Sequence, residues 1–377
     1  MSLPRRNQAP EPLEPLHRVD YIPLVAWALG FVVFSVFRAQ HLIVPQDMSA
    51  YLAGADVASR GLDPYADIGE SALYQGFPYL YYPAYTLLLK ILGLMPVWCV
   101  LLFDGVLRGV LGVYIVRVFA RATRAPLPWN ALVLGLLCLN SFVTDLFVGN
   151  LALFMCAIFA KVLADVLWGE PLSGRLKSDS ILMGYGGAFG YVLMGALLVL
   201  KPFWVVPAVF VLMWRRRWLE LLNLVVGVVC VLLVGVLVYG EQLHLWQQKI
   251  EAIRGFWDAF DLGSVSPTLW VIAALAWGLM AVKLIWKRHP EAWLWACAGV
   301  IVWPRIGMYS YLIVIPLLFW LMRRHGKGVG LVAILPFSLL PGMIWPDAIV
   351  FRMGLTFCAV LGLASVWLLD DAEVLSE

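Results

Sequence analysis

The sequence predicts an all-α, polytopic transmembrane helical bundle, and three observations carry that expectation. Of the 377 residues, 62% are hydrophobic and 14% charged, with mean hydropathy +0.86; soluble domains average about 45–50% apolar and about 25% charged. Lys and Arg gather in short clusters between long apolar runs. The chain also carries 18 Trp and 14 Tyr, which suits many crossings because these rings favour the headgroup boundary. The net charge of +3 says little about soluble partners, and no nucleic-acid partner is expected.

The elements follow from two rules: a span needs about 20 apolar residues, and short basic loops stay inside. Residues 1–20 are polar and Pro-rich, with Arg5, Arg6 and Arg18 and no small-residue cleavage pattern. They read as a cytoplasmic tail before an uncleaved helix, not a signal peptide. Residues 21–43 run outward. The loop 44–82 then carries Asp47, Asp56, Asp63, Asp67 and Glu70 against Arg60, as an outside loop should. Residues 83–95 are apolar but short, and are assigned to an interfacial or re-entrant helix. Counting them as a full span would put Arg117, Arg121 and Arg124 outside and break the charge pattern.

Residues 97–119 cross inward to that basic cluster, 129–147 cross outward, and 151–168 return to Arg175 and Lys177. Residues 181–200 go out, and 202–213, a short run, return to Arg215, Arg216 and Arg217. Residues 219–239 go out to a second outer loop, 240–266, with an amphipathic stretch over 245–260. Residues 269–286 return to Lys287 and Arg288, 293–303 go out, and 306–322 return to Arg323, Arg324 and Lys327. Residues 329–345 and 349–369 complete about twelve crossings. The expected organisation is one transmembrane domain, 21–369, whose first outer loop spans 44–96, with tails 1–20 and 370–377 both cytoplasmic.

This topology places Asp47, Tyr51, Arg60, Tyr65, Tyr82, Asn150, Lys201, His244 and Arg305 at or near the outer boundary. Lys201 and Arg305 interrupt apolar sequence, which at mid-membrane costs about 2.5–3.5 kcal/mol and calls for a partner or an aqueous cavity. Each has a plainer alternative. The two cations can snorkel to headgroups, Asp47 can cap a helix, His244 can be merely solvated, Tyr65 and Tyr82 can be belt aromatics, and Asn150 can cap the helix that follows. Arg38 reads as a snorkelling cation, Asp104 and Arg108 as an internal ion pair four residues apart, and Asp145 and Asp165 as span-end charges.

One carboxylate and two cations on one face suggest a chemistry. Asp47 can take the proton from an attacking hydroxyl. Lys201 and Arg305 can hold the phosphate of a lipid-linked donor and stabilise its developing charge, while boundary aromatics line a sugar site. Neither G-x-x-x-x-G-K-[ST] nor a strand-linked G-x-G-x-x-G is present, so a donor would arrive from the membrane. The six cysteines, Cys99, Cys138, Cys156, Cys230, Cys297 and Cys358, lie in apolar runs without CxxC or Cys/His spacing and imply neither disulfides nor a metal site. The acidic group Asp56, Asp63, Asp67 and Glu70 reads as a solvated loop rather than a metal cage, so no cofactor is expected.

The segments Asp47-Met48-Ser49-Ala50-Tyr51, Arg60-Gly61-Leu62-Asp63-Pro64-Tyr65, Leu80-Tyr81-Tyr82-Pro83-Ala84 and Leu94-Met95-Pro96 occur in an order that resembles the opening of the GT-C glycosyltransferases of family 87, which include polyprenol-phosphate-mannose-dependent mannosyltransferases. Val148-Gly149-Asn150-Leu151, Leu200-Lys201-Pro202-Phe203 and Trp214-Arg215-Arg216-Arg217-Trp218 extend the likeness over residues 21–220. The resemblance implies a GT-C fold with Asp47 as catalytic base and inversion at the sugar carbon. The implied donor is mannose or an arabinofuranose-like sugar on a polyprenyl monophosphate. The implied acceptor is a lipid, surface glycan or protein outside the cytoplasm, with the enzyme in a bacterial inner membrane. The chain departs from the family in having one Pro after Tyr82, Asn150 where Gln is usual, and no His in Trp303-Pro304-Arg305-Ile306-Gly307-Met308-Tyr309. Either Tyr309 or His244 takes that histidine's role, or the role is absent. A transporter or flippase for a lipid-linked or anionic solute is the alternative, though no internal repeat supports it.

Overall fold

The computed structural model describes residues 18–124, 140–169, 181–252, 267–287, 289, 292–301, 312–313 and 315–325. Among these residues the protein is helical and has no strand. The segments Val97–Thr123, Trp218–Val238 and Trp270–Lys287 are long and apolar enough to cross a membrane. Residues 302–310, with Arg305 and Tyr309, and the two crossings expected over 329–369 lie outside the described residues.

Helix α1 (Arg18–Gln40) packs along α4 (Val97–Thr123). The contact is possible because α4 presents Gly105 and Gly109 four residues apart. A side chain at 105 would strike Ser35, and one at 109 would come within 2.7 Å of Phe31 Cγ. Small residues at this spacing let apolar helices approach backbone to backbone, and Trp27 uses the approach to donate its Nε1–H to Gly109 O at 2.9 Å.

Between these helices the chain builds a cap. Pro45 ends the extended link and α2 (Gln46–Ser59) begins, with Asp47 in its first turn where the helix dipole favours a carboxylate. Ala55 and Ala58 share a buried face of α2, and α3 (Thr86–Gly93) lies so close that a Cβ on Gly93 would strike Ala55 O. Pro83 opens the 3-10 turn Pro83–Tyr85 that feeds α3, so residues 83–93 form a short element on the cap, as their length predicts.

The rest of the described bundle comprises α5 (Asn140–Val148), α6 (Ala152–Trp168), α7 (Ile181–Leu198), α8 (Val205–Trp214), α9 (Trp218–Val238), α10 (Gly240–Ala252), α11 (Pro267–Lys287), α12 (Ala292–Ile301) and α13 (Ile315–His325). The main core joins α4, α6, α8, α12 and α13 around Phe119, Phe159, Trp204 and Trp295. Helix α9 instead leaves Leu222, Val225, Val229, Leu233, Val236 and Leu237 exposed, an apolar face suited to lipid.

Two charged residues differ from expectation. Arg38 does not snorkel: it is 2% exposed and reaches Asp104 Oδ2 at 3.4 Å. Asp145 is not a span-end charge but is fully buried against Arg108. A guanidinium enclosed between helices is held by carboxylates because neither charge could otherwise leave water.

Candidate active site

The site forms where the first turn of α2 meets the turn between α5 and α6. Gly149 makes that meeting possible. Its φ is +75°, and a Cβ there would lie 2.7 Å from Pro45 Cβ and 2.9 Å from Met48 Cβ. Only glycine tolerates both the left-handed backbone and the approach. The next residue, Asn150, is buried. Its Oδ1 accepts the Ala152 N–H at 3.1 Å, which satisfies an otherwise unpaired donor at the start of α6. Its Nδ2 donates to Asp47 Oδ2 at 2.5 Å.

Asp47 itself is half-buried. Withdrawal from water pushes its carboxyl above the usual carboxylate range. The Asn150 hydrogen bond and the fields of Lys201 and Arg108 oppose that shift without cancelling it. Lys201 lies in the turn between α7 and the 3-10 turn Pro202–Trp204. Desolvation pulls its ammonium down to about 8 against the attraction of Asp47 and Asp145. Its Nζ stands 5.8 Å from the centre of the Tyr81 ring. Tyr81 meets Tyr51 edge-on, with their hydroxyls 2.5 Å apart. Tyr51 is one helical turn after Asp47 and so shares its face of α2.

Behind Asp47 runs a buried chain of charges. Arg38 from α1 reaches Asp104, and Asp104 Oδ1 accepts from Arg108 Nε at 2.9 Å. Arg108 Nη1 binds the Asp145 carboxylate and, at 3.3 Å, the Asp145 carbonyl. Its Nη2 donates to Asn150 O at 2.7 Å. Arg108 is 0% exposed. One guanidinium thus ties α4 to the turn that presents Asn150 to Asp47.

The residues expected at the site divide. Asp47, Tyr51, Asn150 and Lys201 come together. Tyr82 does not join them: its hydroxyl donates to Leu232 O at 2.9 Å, and its ring fills the space over Gly235 on α9. Tyr65 is 1% exposed and donates to Tyr81 O, so it braces the loop from within. Burial holds its hydroxyl well above the usual tyrosine range, and it remains a donor. Arg60 is exposed and pairs with Asp56 one turn back at 3.0 Å. His244 is exposed on α10 beside Gln248 at 2.9 Å. Tyr81 and Arg108 were missed as site residues. Arg108 had the signal of a cation inside an apolar span. Tyr81 was hidden by its neighbour, since successive residues of an extended segment face opposite ways. The acidic loop residues are used locally: Asp63 accepts the Tyr65 N–H at 2.7 Å and Asp67 accepts the Asp63 N–H at 2.9 Å. No family model, no curated protein and no solved structure matches this chain.

Proposed function

We propose that this protein is a membrane glycosyltransferase of GT-C type, with about twelve spans, that uses a polyprenyl-monophosphate sugar on the extracytoplasmic face. The observation that carries the reading is Asp47: a carboxylate partly open to solvent, fixed through one oxygen by Asn150 and lying in the field of the Lys201 ammonium. An acceptor hydroxyl attacks the sugar carbon from the face opposite the phosphate. Its proton passes to Asp47, the carbon–oxygen bond to phosphate breaks, and the leaving phosphate takes the electron pair, so the sugar inverts. Lys201, with Arg305 from the later chain, stabilises the negative charge that develops on the phosphate. A raised carboxyl is a stronger base than a solvated one, which suits general-base work. Tyr51 and Tyr81 supply aromatic surface beside the sugar.

A second reading, transport of a lipid-linked or anionic solute, draws on the Arg38–Asp104–Arg108–Asp145 chain, because ionisable residues between apolar helices mark ion and proton paths in transporters. The two separate in one experiment. The purified protein in nanodiscs receives synthetic polyprenyl-phosphate mannose or arabinofuranose and a host lipid extract, and the same protein in vesicles is assayed for solute flux. Transfer that disappears in Asp47→Ala supports the enzyme. Full transfer by that folded variant removes Asp47 as base, and flux without transfer favours the transporter.

A further inference from the structure

Asn150 is held so tightly that its amide has only one orientation. Its Oδ1 faces a backbone N–H, which can only donate, at 3.1 Å. Its Nδ2 faces a carboxylate oxygen, which can only accept when ionised. Turning the amide over would set donor against donor and acceptor against acceptor. The turn that carries it is fixed from both sides. The left-handed Gly149 presses on Pro45 and Met48, and Arg108 grips the carbonyls of Asp145 and Asn150. Arg108 is anchored by Asp104 and Asp145, and Asp104 by Arg38.

We propose that Asn150 is a positioning residue, braced by Arg108, that occupies Oδ2 of Asp47 and turns Oδ1 toward the incoming hydroxyl. The donor N–H from Asn150 stabilises the ionised carboxylate, so it sets the pH at which Asp47 is a base as well as the direction in which it points. Among the described residues, Asn150 of the α5–α6 turn bonds Asp47, and Lys201 from the turn after α7 and Arg108 from α4 act on it through their charge; Asp145 of α5 acts in turn on both cations, and Tyr51 of α2 on Arg108. Arg38 of α1 touches the neighbouring Met48. The catalytic direction rests on the transferase reading, whereas the hold on Asp47 can be measured without it.

The test uses the full chain in nanodiscs with Asn150→Leu, Asn150→Asp and Arg108→Lys. The first removes the amide at similar volume. The second replaces the donor with a carboxylate, so that two acids share one proton. The third keeps the charge but loses the fork that spans two carbonyls. The Asp47 ionisation is followed by difference infrared spectroscopy, with its band assigned by loss in Asp47→Asn, and sugar transfer is followed across pH. Asn150→Leu is expected to move the Asp47 midpoint and the acid limb of transfer upward by about one pH unit. Asn150→Asp should move them further, and Arg108→Lys in the same direction by less. A structural role alone would lower transfer equally at every pH and leave the midpoint in place. An unmoved midpoint in folded Asn150→Leu overturns the proposal. A moved midpoint with no transfer by any form, the parent included, upholds the hold on Asp47 and removes the glycosyltransferase reading.

Discussion

Arg108 and Arg217 brace opposite ends of α6 with the same device. Arg108 donates to the carbonyls of Asp145 and Asn150 ahead of the helix, and Arg217 donates to those of Asp165 and Gly169 at its end. Each is buried and salt-bridged, Arg108 to Asp104 and Asp145, Arg217 to Glu220 at 3.0 Å. Their electrostatic settings are opposite. A cation at the C-terminal end of a helix satisfies unpaired carbonyls and sits favourably in the dipole, so Arg217 is a cap. A cation ahead of the N-terminal end opposes the dipole and needs two carboxylates to be tolerated there. What distinguishes the Arg108 brace is the residue it holds: Asn150 reaches on to Asp47, whereas Asp165, whose carbonyl Arg217 grips, pairs its carboxylate with Lys161 of its own helix. The same motif is a cap at one end and the support of a site at the other.

The largest expected effect breaks the comparison at its functional end. Asp47→Ala should lower sugar transfer by about 10²–10⁴-fold, the range for loss of a general base, while thermal unfolding in detergent stays close to that of the parent. The pairs of arginine variants come next. Arg108→Met strands the buried Asp145 carboxylate, leaves Asp104 with Arg38 alone, and should destabilise by about 3–5 kcal/mol. Arg217→Met loses carbonyl hydrogen bonds and one partner, and should cost about 1–3 kcal/mol. Denaturant unfolding of both measures this. Equal losses would mean that the chain of charges around Arg108 is no more interdependent than a cap. Gly149→Ala, which forces a Cβ against Pro45 with φ at +75°, should cost about 1–3 kcal/mol and reduce transfer more than its loss of stability explains, because it displaces α2 from Asn150.

Local chemistry was legible in the sequence, and long-range juxtaposition was legible only in part. The Asp104–Arg108 pair could be read because positions four apart share a helix face. Its extension to Asp145 could not, because those partners are 37 residues apart and belong to different helices. Charge placement put Asp47, Asn150 and Lys201 on one boundary, and the structure brings these three together. The same rule gathered Arg60 and His244, because it reports which side of a membrane a residue is on, not where around the bundle it lies. Arg38 was misread for a related reason: at a span end, a snorkelling cation and a buried one have the same sequence surroundings, and only packing against Asp104 separates them. Tyr82 and Tyr81 differ by one position in an extended run, and the direction of that run was set by Gly235 and Leu232 of α9, far along the chain.

Lys201 sharpens the Asp47 end of the comparison through pH. Its unfolded value is about 10.5, and in the folded protein it falls to about 8. Between those values the unfolded chain holds a proton that the folded chain has lost, so this group makes stability rise with pH across the window. Donor binding should run the other way, since a neutral amine holds a phosphate poorly. Lys201→Met should raise the donor KM about tenfold, in line with loss of one charge-assisted contact, and remove both slopes. A donor KM that is flat from pH 7 to 10 in the parent would take Lys201 out of the phosphate site.

The smallest effects belong to the expected site residues that do not reach Asp47. Arg60 is tied to Asp56 on the exposed side of α2, with its Nη2 also 3.4 Å from Glu70 O. An exposed i,i+4 ion pair contributes about 0.3–0.5 kcal/mol. Among the described residues His244 bonds along its own helix, to Gln248. Arg60→Ala and His244→Ala should each leave transfer within about twofold of the parent and unfolding within about 0.5 kcal/mol. A tenfold fall in kcat/KM for either, with stability kept, would extend the working surface beyond the Asp47 corner. For His244 that surface would have to include α10, which crosses the cap through the hydrogen bond from Trp246 Nε1 to Leu80 O at 2.8 Å. Since Leu80 precedes Tyr81, whose ring faces Lys201, a large effect at His244 would point to motion of α10 transmitted through that bond. Trp246→Phe, which keeps the ring and removes the donor, should then reproduce it.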